Sequence, residues 1–325
     1  MHFRNHLILD GGLATELESR GHVLNDALWS ARLIEDAPRD IVDVHLAYLQ
    51  AGADIITSAS YQASIQGFRA AGHSHDSAIE IICKAVALAR EARDRHVQSG
   101  WTIETFHQTF IRDLKCESWF DGSGTLARPL VAASIGPYGA YLANGAEFTG
   151  NYDLDANGLR DFHHDRWQSL AESGADMLIC ETVPSFVEAT VLADLASKTN
   201  TPVLMSFSCR NKSQISDGTS MRSVASMLQT ADNIKAIGIN CTSPAYILPL
   251  IEEIHAESQL PVLVYPNSGE IFDGETRSWT GQRDAADFGE AALKWHTTGA
   301  SIIGGCCRTS PEHIRSIRAN LTAAG

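Results

Sequence analysis

A chain of 325 residues that is 44% hydrophobic and 20% charged has the balance of a folded globular protein, not of a disordered or fibrous one. Its formal net charge of -14 excludes a broad basic face, and with it nucleic acid as the main partner. The first apolar run, Leu7 to Leu9, is too short for a signal peptide or a membrane span, so the chain reads as cytoplasmic with no membrane partner. In that reducing setting its seven cysteines are expected as thiols or metal ligands, not disulfides.

Short runs rich in Val, Ile and Leu recur along the chain and predict strands at Leu7–Asp10, Asp54–Thr57, Leu130–Ile135, Met177–Glu181, Val203–Ser208, Ala236–Cys241, Val262–Pro266 and Ser301–Gly305. Runs apolar on both faces suit parallel strands covered by helices. The stretches between them read as helical. Ile79, Ile82 and Val86 share a helical face behind a Ser77-x-x-Glu80 capping box, and Ser185-x-x-Glu188 repeats that box. Leu159, Phe162, Trp167 and Leu170 line a further amphipathic helix. Ser243-Pro244 and Ser310-Pro311 place a capping serine before proline at the first helical position. This alternation predicts a single-domain α/β fold over residues 1–325, a (β/α)8 TIM barrel. An open doubly wound sheet is the alternative, but it would show a glycine-rich phosphate turn, which this sequence lacks. Residues 100–128, with Trp101, Phe106, Phe110, Trp119 and Phe120, break the rhythm and read as a surface insertion with its own small cluster, the alternative being a lid or a contact for another subunit.

Barrel chemistry belongs at the C-terminal ends of the strands. Asp10, Glu181, Cys241, Cys306 and Cys307 end predicted strands, while Ser58, Ser60, Tyr61 and Asn267 follow them. An isolated cysteine is most often a small core residue, the reading that suits Cys83, Cys116, Cys180 and Cys209. Cys241 and the Cys306-Cys307 pair differ because each lies at a strand-to-helix turn, and Gly304-Gly305 leaves a pliable backbone before the pair. Three thiolates at one point leave the fourth position of a tetrahedral zinc site open, as catalytic zinc requires. Asp10 and Glu181 at the same mouth suit an ammonium group; the sequence does not fix their separation in space, so an acid/base pair for glycoside hydrolysis is also conceivable, though no second feature of carbohydrate chemistry supports it. His163-His164 lies within a helix and reads as solvated or partly buried side chains, since adjacent helical positions do not face one another.

Taken in order, these segments resemble the homocysteine S-methyltransferase family from about Leu7 to about Ile317. The resemblance rests on Leu9-Asp10-Gly11-Gly12-Leu13-Ala14-Thr15-Glu16-Leu17, Thr57-Ser58-Ala59-Ser60-Tyr61-Gln62-Ala63-Ser64 and Ser134-Ile135-Gly136-Pro137-Tyr138-Gly139-Ala140. It continues through Cys180-Glu181-Thr182, Gly238-Ile239-Asn240-Cys241, Val264-Tyr265-Pro266-Asn267-Ser268-Gly269-Glu270 and Gly304-Gly305-Cys306-Cys307-Arg308-Thr309. It implies a (β/α)8 barrel with Cys241, Cys306 and Cys307 as zinc ligands. Asp10 and Glu181 would contact the amino group of homocysteine, Ser58 and Ser60 would help hold it, and Asn240 and Trp29 would form the pocket wall.

The implied partners are small molecules, homocysteine and a sulfonium methyl donor. Within the family the branch using S-methylmethionine, and in some members S-adenosylmethionine, is most similar. The betaine-using branch is more distant at the Cys180-Glu181-Thr182 motif. Rival readings are the same zinc site acting on another thiol or a selenol, a zinc hydrolase, and a zinc- or redox-sensing thiol protein. Cysteine-rich ligation disfavours the hydrolase by making the metal a poorer acid for water. A sensor has no need of two carboxylates at the same mouth.

Overall fold

The computed structural model describes residues 4–24, 28–101, 104–106, 112, 116, 119–121, 123–273, 278–280 and 284–324. All eight expected strands are present in one parallel sheet: β1 Leu7–Ile8, β2 Ile55–Thr57, β3 Leu130–Ile135, β4 Met177–Val183, β5 Val203–Phe207, β6 Ile234–Asn240, β7 Val262–Tyr265 and β8 Ala300–Ile303. They pair in the order β1-β8-β7-β6-β5-β4-β3-β2. A parallel bridge between Leu9 and Ile55, with the Asp10 N–H donating to the Ile55 carbonyl at 3.0 Å, closes β1 onto β2. Closure removes the open edges that a sheet otherwise presents. The fold is thus a (β/α)8 barrel, and the doubly wound alternative falls away.

Strand alternation sorts the core into two parts. Ile8, Ile56, Val131, Leu178, Met205, Ile237, Val264 and Ile303 face the helical ring, while Leu7, Leu9, Ile55, Ala132, Ile179, Leu204, Leu263 and Ile302 fill the barrel interior. Successive side chains on a strand point to opposite faces, so both sets come from the same continuous apolar runs. Cys180 faces outward, as a core thiol, as expected of it.

Helix starts follow local chemistry. Ser185 accepts the Glu188 N–H at 3.2 Å at the start of the helix Phe186–Ala196, as its capping box predicts. The helix His75–Gln98 begins earlier than expected: Ser74, not Ser77, is the cap, accepting the Ser77 N–H at 3.1 Å. Both serines satisfy the rule for a cap, and the chain uses the first that leaves the backbone free to turn helical. Pro311 opens the last helix, Pro311–Ala324, whereas Pro244 opens a short 3-10 turn before the helix Ile247–His255.

The segment 100–128 corrects the sequence reading. Phe106, Cys116, Trp119, Phe120 and Leu126 are buried and pack continuously with the lower barrel interior, against Leu7, Ile55, Leu130 and Met177. They do not form a separate surface cluster; they floor the barrel. Phe106 and Phe120 meet edge to face at 5.2 Å, and the Arg4 guanidinium lies 4.9 Å from the centre of the Phe106 ring. Arg4 also pairs with buried Asp54 at 2.5 Å, and Asp54 accepts the Ile8 N–H at 2.8 Å, which pins β1 to β2 from below. Phe110 and most other positions of this segment lie outside the described residues.

Replacing Phe106 with alanine should therefore cost about 3–5 kcal/mol of unfolding free energy. A denaturant melt checks it, and a loss under about 1 kcal/mol, the scale of a surface substitution, would mean that the floor is not part of the core.

Candidate active site

The barrel interior changes character from bottom to top. The inward positions next above its apolar layers are Thr57, Ser134, Glu181, Ser206, Asn240 and Tyr265, one from each strand from β2 to β7. Polar groups inside a barrel must satisfy one another. Ser134 donates to Glu181 Oε1, and the Ser206 and Tyr265 hydroxyls bond to each other. The Asn240 carboxamide is used completely. Its Oδ1 accepts from the Thr182 N–H at 2.8 Å and from Ser206 Oγ at 2.9 Å. Its Nδ2 donates to Thr182 Oγ1 at 2.7 Å and lies 4.0 Å from Cys306 Sγ. Asn240 thus ties β4, β5 and β6 to the turn after β8.

That turn carries Cys306 and Cys307. The Cys306 N–H donates to the Pro266 carbonyl at 2.8 Å, and the Ser268 N–H to the Cys307 carbonyl at 3.1 Å. Two glycines are needed here for approach, not for pliability as the sequence suggests. A Cβ on Gly305 would stand 2.4 Å from Thr309 Oγ1, and one on Gly12 would stand 2.6 Å from the Cys306 carbonyl oxygen. Cys241 follows β6 in the left-handed region at φ 48°, as do Thr182 at φ 61° after Glu181 and Arg308 at φ 65° after Cys307. Non-glycine residues there store strain that recurs at functional sites.

The outcome is a sulfur cluster. Cys241 Sγ and Cys307 Sγ are 3.4 Å apart, and all three sulfurs of Cys241, Cys306 and Cys307 lie within 4.8 Å of one another. Each residue is partly buried. The sulfurs divide charge unequally. Hydrogen bonds from Cys241 and Cys306 hold the Cys307 thiol well below its ordinary range, and the same contacts push Cys241 well up. A cation in their midst would relieve that competition. A tetrahedral ion with bonds of about 2.3 Å to sulfur sets its ligands about 3.8 Å apart, inside the observed span. The three residues therefore fit a metal ion, and Asn240 stands behind them as an outer-shell group.

Two carboxylates share the mouth. Asp10 is buried, accepts the Thr57 N–H at 2.7 Å, and receives the Thr57 hydroxyl at 3.0 Å. Burial pushes its carboxyl well above the usual range, against the Thr57 bonds, and nearby Glu181 adds to the rise. Glu181 is pushed up to about 7 by burial and by the Cys306 sulfur, with the Ser134 and Tyr265 hydroxyls opposing. Neither buried Asp10 nor partly buried Glu181 has a cationic partner among the described residues, an arrangement suited to a cation brought by a ligand. The Asp10 carbonyl accepts the Gly305 N–H at 3.0 Å, which couples this pair to the cysteine turn.

The other expected site residues occupy supporting places. Ser58 and Ser60 are buried, 2.8 Å apart, and Ser60 donates to the Ser134 carbonyl at 2.7 Å, so they fasten β2 to β3. Trp29 sits half-buried at φ 49° with its ring edge-on to Tyr61 at 6.4 Å, at the margin of the pocket. His163 and His164 divide. His163 is fully buried, accepting Arg166 Nη2 at 2.8 Å and facing Glu188 Oε1 at 2.8 Å, while His164 is exposed. Arg166 donating to Nδ1 leaves the proton on Nε2 for Glu188, and burial lowers the ring's pKa, so it is neutral. Sequence reasoning missed Thr57, Ser134, Ser206 and Tyr265. Continuing the period of two along each predicted strand would have found them.

Over residues 7–321 the chain matches a family model described as homocysteine S-methyltransferase. It is 43% identical over 314 residues to a homocysteine S-methyltransferase of Bacillus subtilis, YbgG, covering 96% of this chain and 93% of that one. It is 42% identical to the selenocysteine Se-methyltransferase of Brassica oleracea var. italica, covering 98% of this chain and 89% of that one. Among solved structures, the metallated form of the homocysteine methyltransferase MmuM from Escherichia coli superposes with a TM-score of 0.81 at 36% identity, over 97% and 96% of the two chains.

Asn240→Ala should loosen the sulfur cluster without removing a sulfur. Chelator competition should show metal affinity lower by about 10–100-fold, the usual cost of losing an outer-shell partner. Unchanged affinity would show that the amide does not position Cys306.

Proposed function

Since the chain belongs to the homocysteine S-methyltransferase family, we propose that it moves a methyl group from a sulfonium donor, S-methylmethionine or S-adenosylmethionine, to the thiol of L-homocysteine, giving methionine, with zinc on Cys241, Cys306 and Cys307. The observation that carries this reading is the cluster of three sulfurs within 4.8 Å, set beside two carboxylates at the mouth of a barrel. Bound zinc supplies a Lewis-acidic position at which a substrate thiol stays deprotonated near neutral pH.

The chain's own residues bind and orient. Asp10 and Glu181 take the homocysteine ammonium, which compensates the burial that raises both carboxyls. Thr57 fixes the Asp10 carboxylate, and Ser134 with Tyr265 fixes that of Glu181, so neither reorganises when substrate arrives. Ser58 and Ser60 hold the loop after β2 in place, and Trp29 and Tyr61 wall the pocket. In the transfer itself, the bond from methyl carbon to donor sulfur breaks as the bond to homocysteine sulfur forms. The electron pair stays on the donor sulfur, which becomes neutral. Charge separation falls along this path, so a water-poor pocket and close positioning favour it. Because the thiolate enters already deprotonated, no side chain acts as base at this step. The thiols require a reducing compartment such as the cytoplasm.

Similarity to a selenocysteine Se-methyltransferase favours a second acceptor, a selenol held in the same place. Reduced selenocysteine should then compete with homocysteine.

The primary test offers homocysteine and S-methylmethionine, S-adenosylmethionine or betaine, separately, to reduced, zinc-loaded protein. Methionine should form with a sulfonium donor and not with betaine; none with either sulfonium would sink the reading. Cys241→Ser, Cys306→Ser and Cys307→Ser should each lose bound zinc and more than about 100-fold in kcat/KM, beyond what an outer-shell change costs. Full zinc content with normal turnover in any of them removes that residue from the site. Glu181→Ala should raise the homocysteine KM by about 10–100-fold, the worth of a hydrogen bond to a charged group, and leave zinc content alone.

A further inference from the structure

His163, Arg166 and Glu188 are fully buried ionisable groups to which methyl transfer gives no direct part. His163 and Arg166, three residues apart on the helix Ala156–Ala171, share a face, and Glu188 meets His163 from the helix Phe186–Ala196. Arg166 Nη2 donates to His163 Nδ1 at 2.8 Å, and His163 Nε2 in turn donates to Glu188 Oε1 at 2.8 Å. Glu188 also accepts the Tyr138 N–H at 2.7 Å and the Tyr152 hydroxyl. Helix packing alone does not require such a set. Apolar side chains of similar volume often serve a buried position as well or better, because taking ions out of water is costly. The buried Nε of Arg166 even lacks a partner among the described residues.

The donors of this set grip two loops of the barrel mouth. Arg166 Nη2 donates to the Gly136 carbonyl, just past β3, at 2.7 Å, and Nη1 to the Ala63 carbonyl, in the loop after β2, at 3.3 Å. Those two segments also hold each other. The Gly136 N–H donates to the Tyr61 carbonyl at 3.1 Å, and a Cβ on Gly136 would stand 2.4 Å from that oxygen. With Tyr138 bonded to Glu188, the turn from Gly136 to Tyr138 is fastened at both ends by the two helices. Two residues before Gly136 stands Ser134. Its hydroxyl donates to Glu181 Oε1, and its carbonyl accepts the Ser60 hydroxyl at 2.7 Å. A short strand end therefore joins the buried set to the Glu181 carboxylate.

We propose that Arg166, His163 and Glu188 are positioning residues: they clamp the loops after β2 and β3, and so hold Ser134 where it aims the Glu181 carboxylate at the homocysteine ammonium. This rests on the methyl-transfer reading and extends its binding machinery to residues that do not touch substrate. The residue types suit the task. A planar guanidinium offers enough fixed donors to reach two carbonyls and an imidazole at once. The neutral imidazole accepts from Arg166 on one side and donates to Glu188 on the other, so the orientation of each group fixes that of the next. Homocysteine keeps its ammonium charge in ground and transition states alike. Slack in the clamp should therefore weaken binding and leave the transfer step alone.

The test compares His163→Leu, which removes both bonds at similar volume, with His163→Gln, which keeps an acceptor and a donor. With S-methylmethionine as methyl donor, His163→Leu should raise the homocysteine KM by about 10-fold, the lower end of what loss of a charged hydrogen bond costs, with kcat within about threefold. His163→Gln should recover most of that loss, and both variants should keep wild-type zinc content. A role in folding alone would lower the active fraction, so kcat would fall at constant KM, and that pattern overturns the proposal. An unchanged KM in folded His163→Leu overturns it too. Should His163→Leu fail to fold, Arg166→Lys decides, since it keeps the buried charge and loses the fork. Its homocysteine KM should rise in the same way, and an unchanged KM rejects the clamp. Calorimetric titration of L-homocysteine into the zinc-loaded proteins reads the contact without turnover. Weaker binding by His163→Leu, recovered in His163→Gln, supports the clamp even where wild type forms no methionine, a result that would count against the transfer reading alone. Equal binding, or none by wild type, rejects the clamp.

Discussion

The site depends on closure of the sheet between its first and second strands. β1 pairs with β8 through Leu7 and Ile8, and just beyond it Leu9 and Asp10 reach across to Ile55. That double engagement brings Asp10, near one end of the chain, within hydrogen-bonding distance of Gly305, near the other. Were the sheet open between β1 and β2, Asp10 and its partner Thr57 would sit on two separate edges. Closure also decides which residues face inward, since inside a barrel half of every strand's side chains converge on one axis.

Along that axis the interior runs from hydrocarbon to hydrogen bonds. The floor of Phe106, Trp119 and Phe120 excludes water from below, and the apolar layers above it hold the strands rigid. On this base sits the ring of Thr57, Ser134, Glu181, Ser206, Asn240 and Tyr265, in which the hydroxyls and the amide largely satisfy one another. Strain at Thr182, Cys241 and Arg308 costs of order 1–3 kcal/mol each, and it persists because the network overdetermines their positions. The bonding of Asn240 shows how: it bonds the backbone of Thr182, restrains Ser206 and backs Cys306 at once.

Acidic groups are concentrated where the barrel opens. Three thiols, Asp10 and Glu181 share the mouth, and Arg308 beside it is engaged by Glu270 at 2.9 Å. Such a mouth favours a metal cation and ammonium groups and disfavours anions. The net charge of the chain carries little of this, because it averages over surface groups that water and salt screen.

The sequence by itself determined the architecture and most of the candidate site groups. Continuous apolar runs and capping serines specify strands and helices through nearest-neighbour sterics and burial, so all eight strands were legible, and the turn positions singled out Asp10, Glu181, Cys241, Cys306 and Cys307. Local rules also left room for error: two serines competed to cap the helix His75–Gln98, and aromatic residues of the 100–128 segment read as surface when they floor the barrel. Only the tertiary structure decided which polar residues meet. Ser134 meets Glu181 and Asn240 meets Cys306 across strands whose distance in sequence says nothing of their distance in space. It also decided that Glu147 Oε2 is buried without a partner among the described residues, because a missing hydrogen bond is a property of everything packed around a group and not of the residue itself.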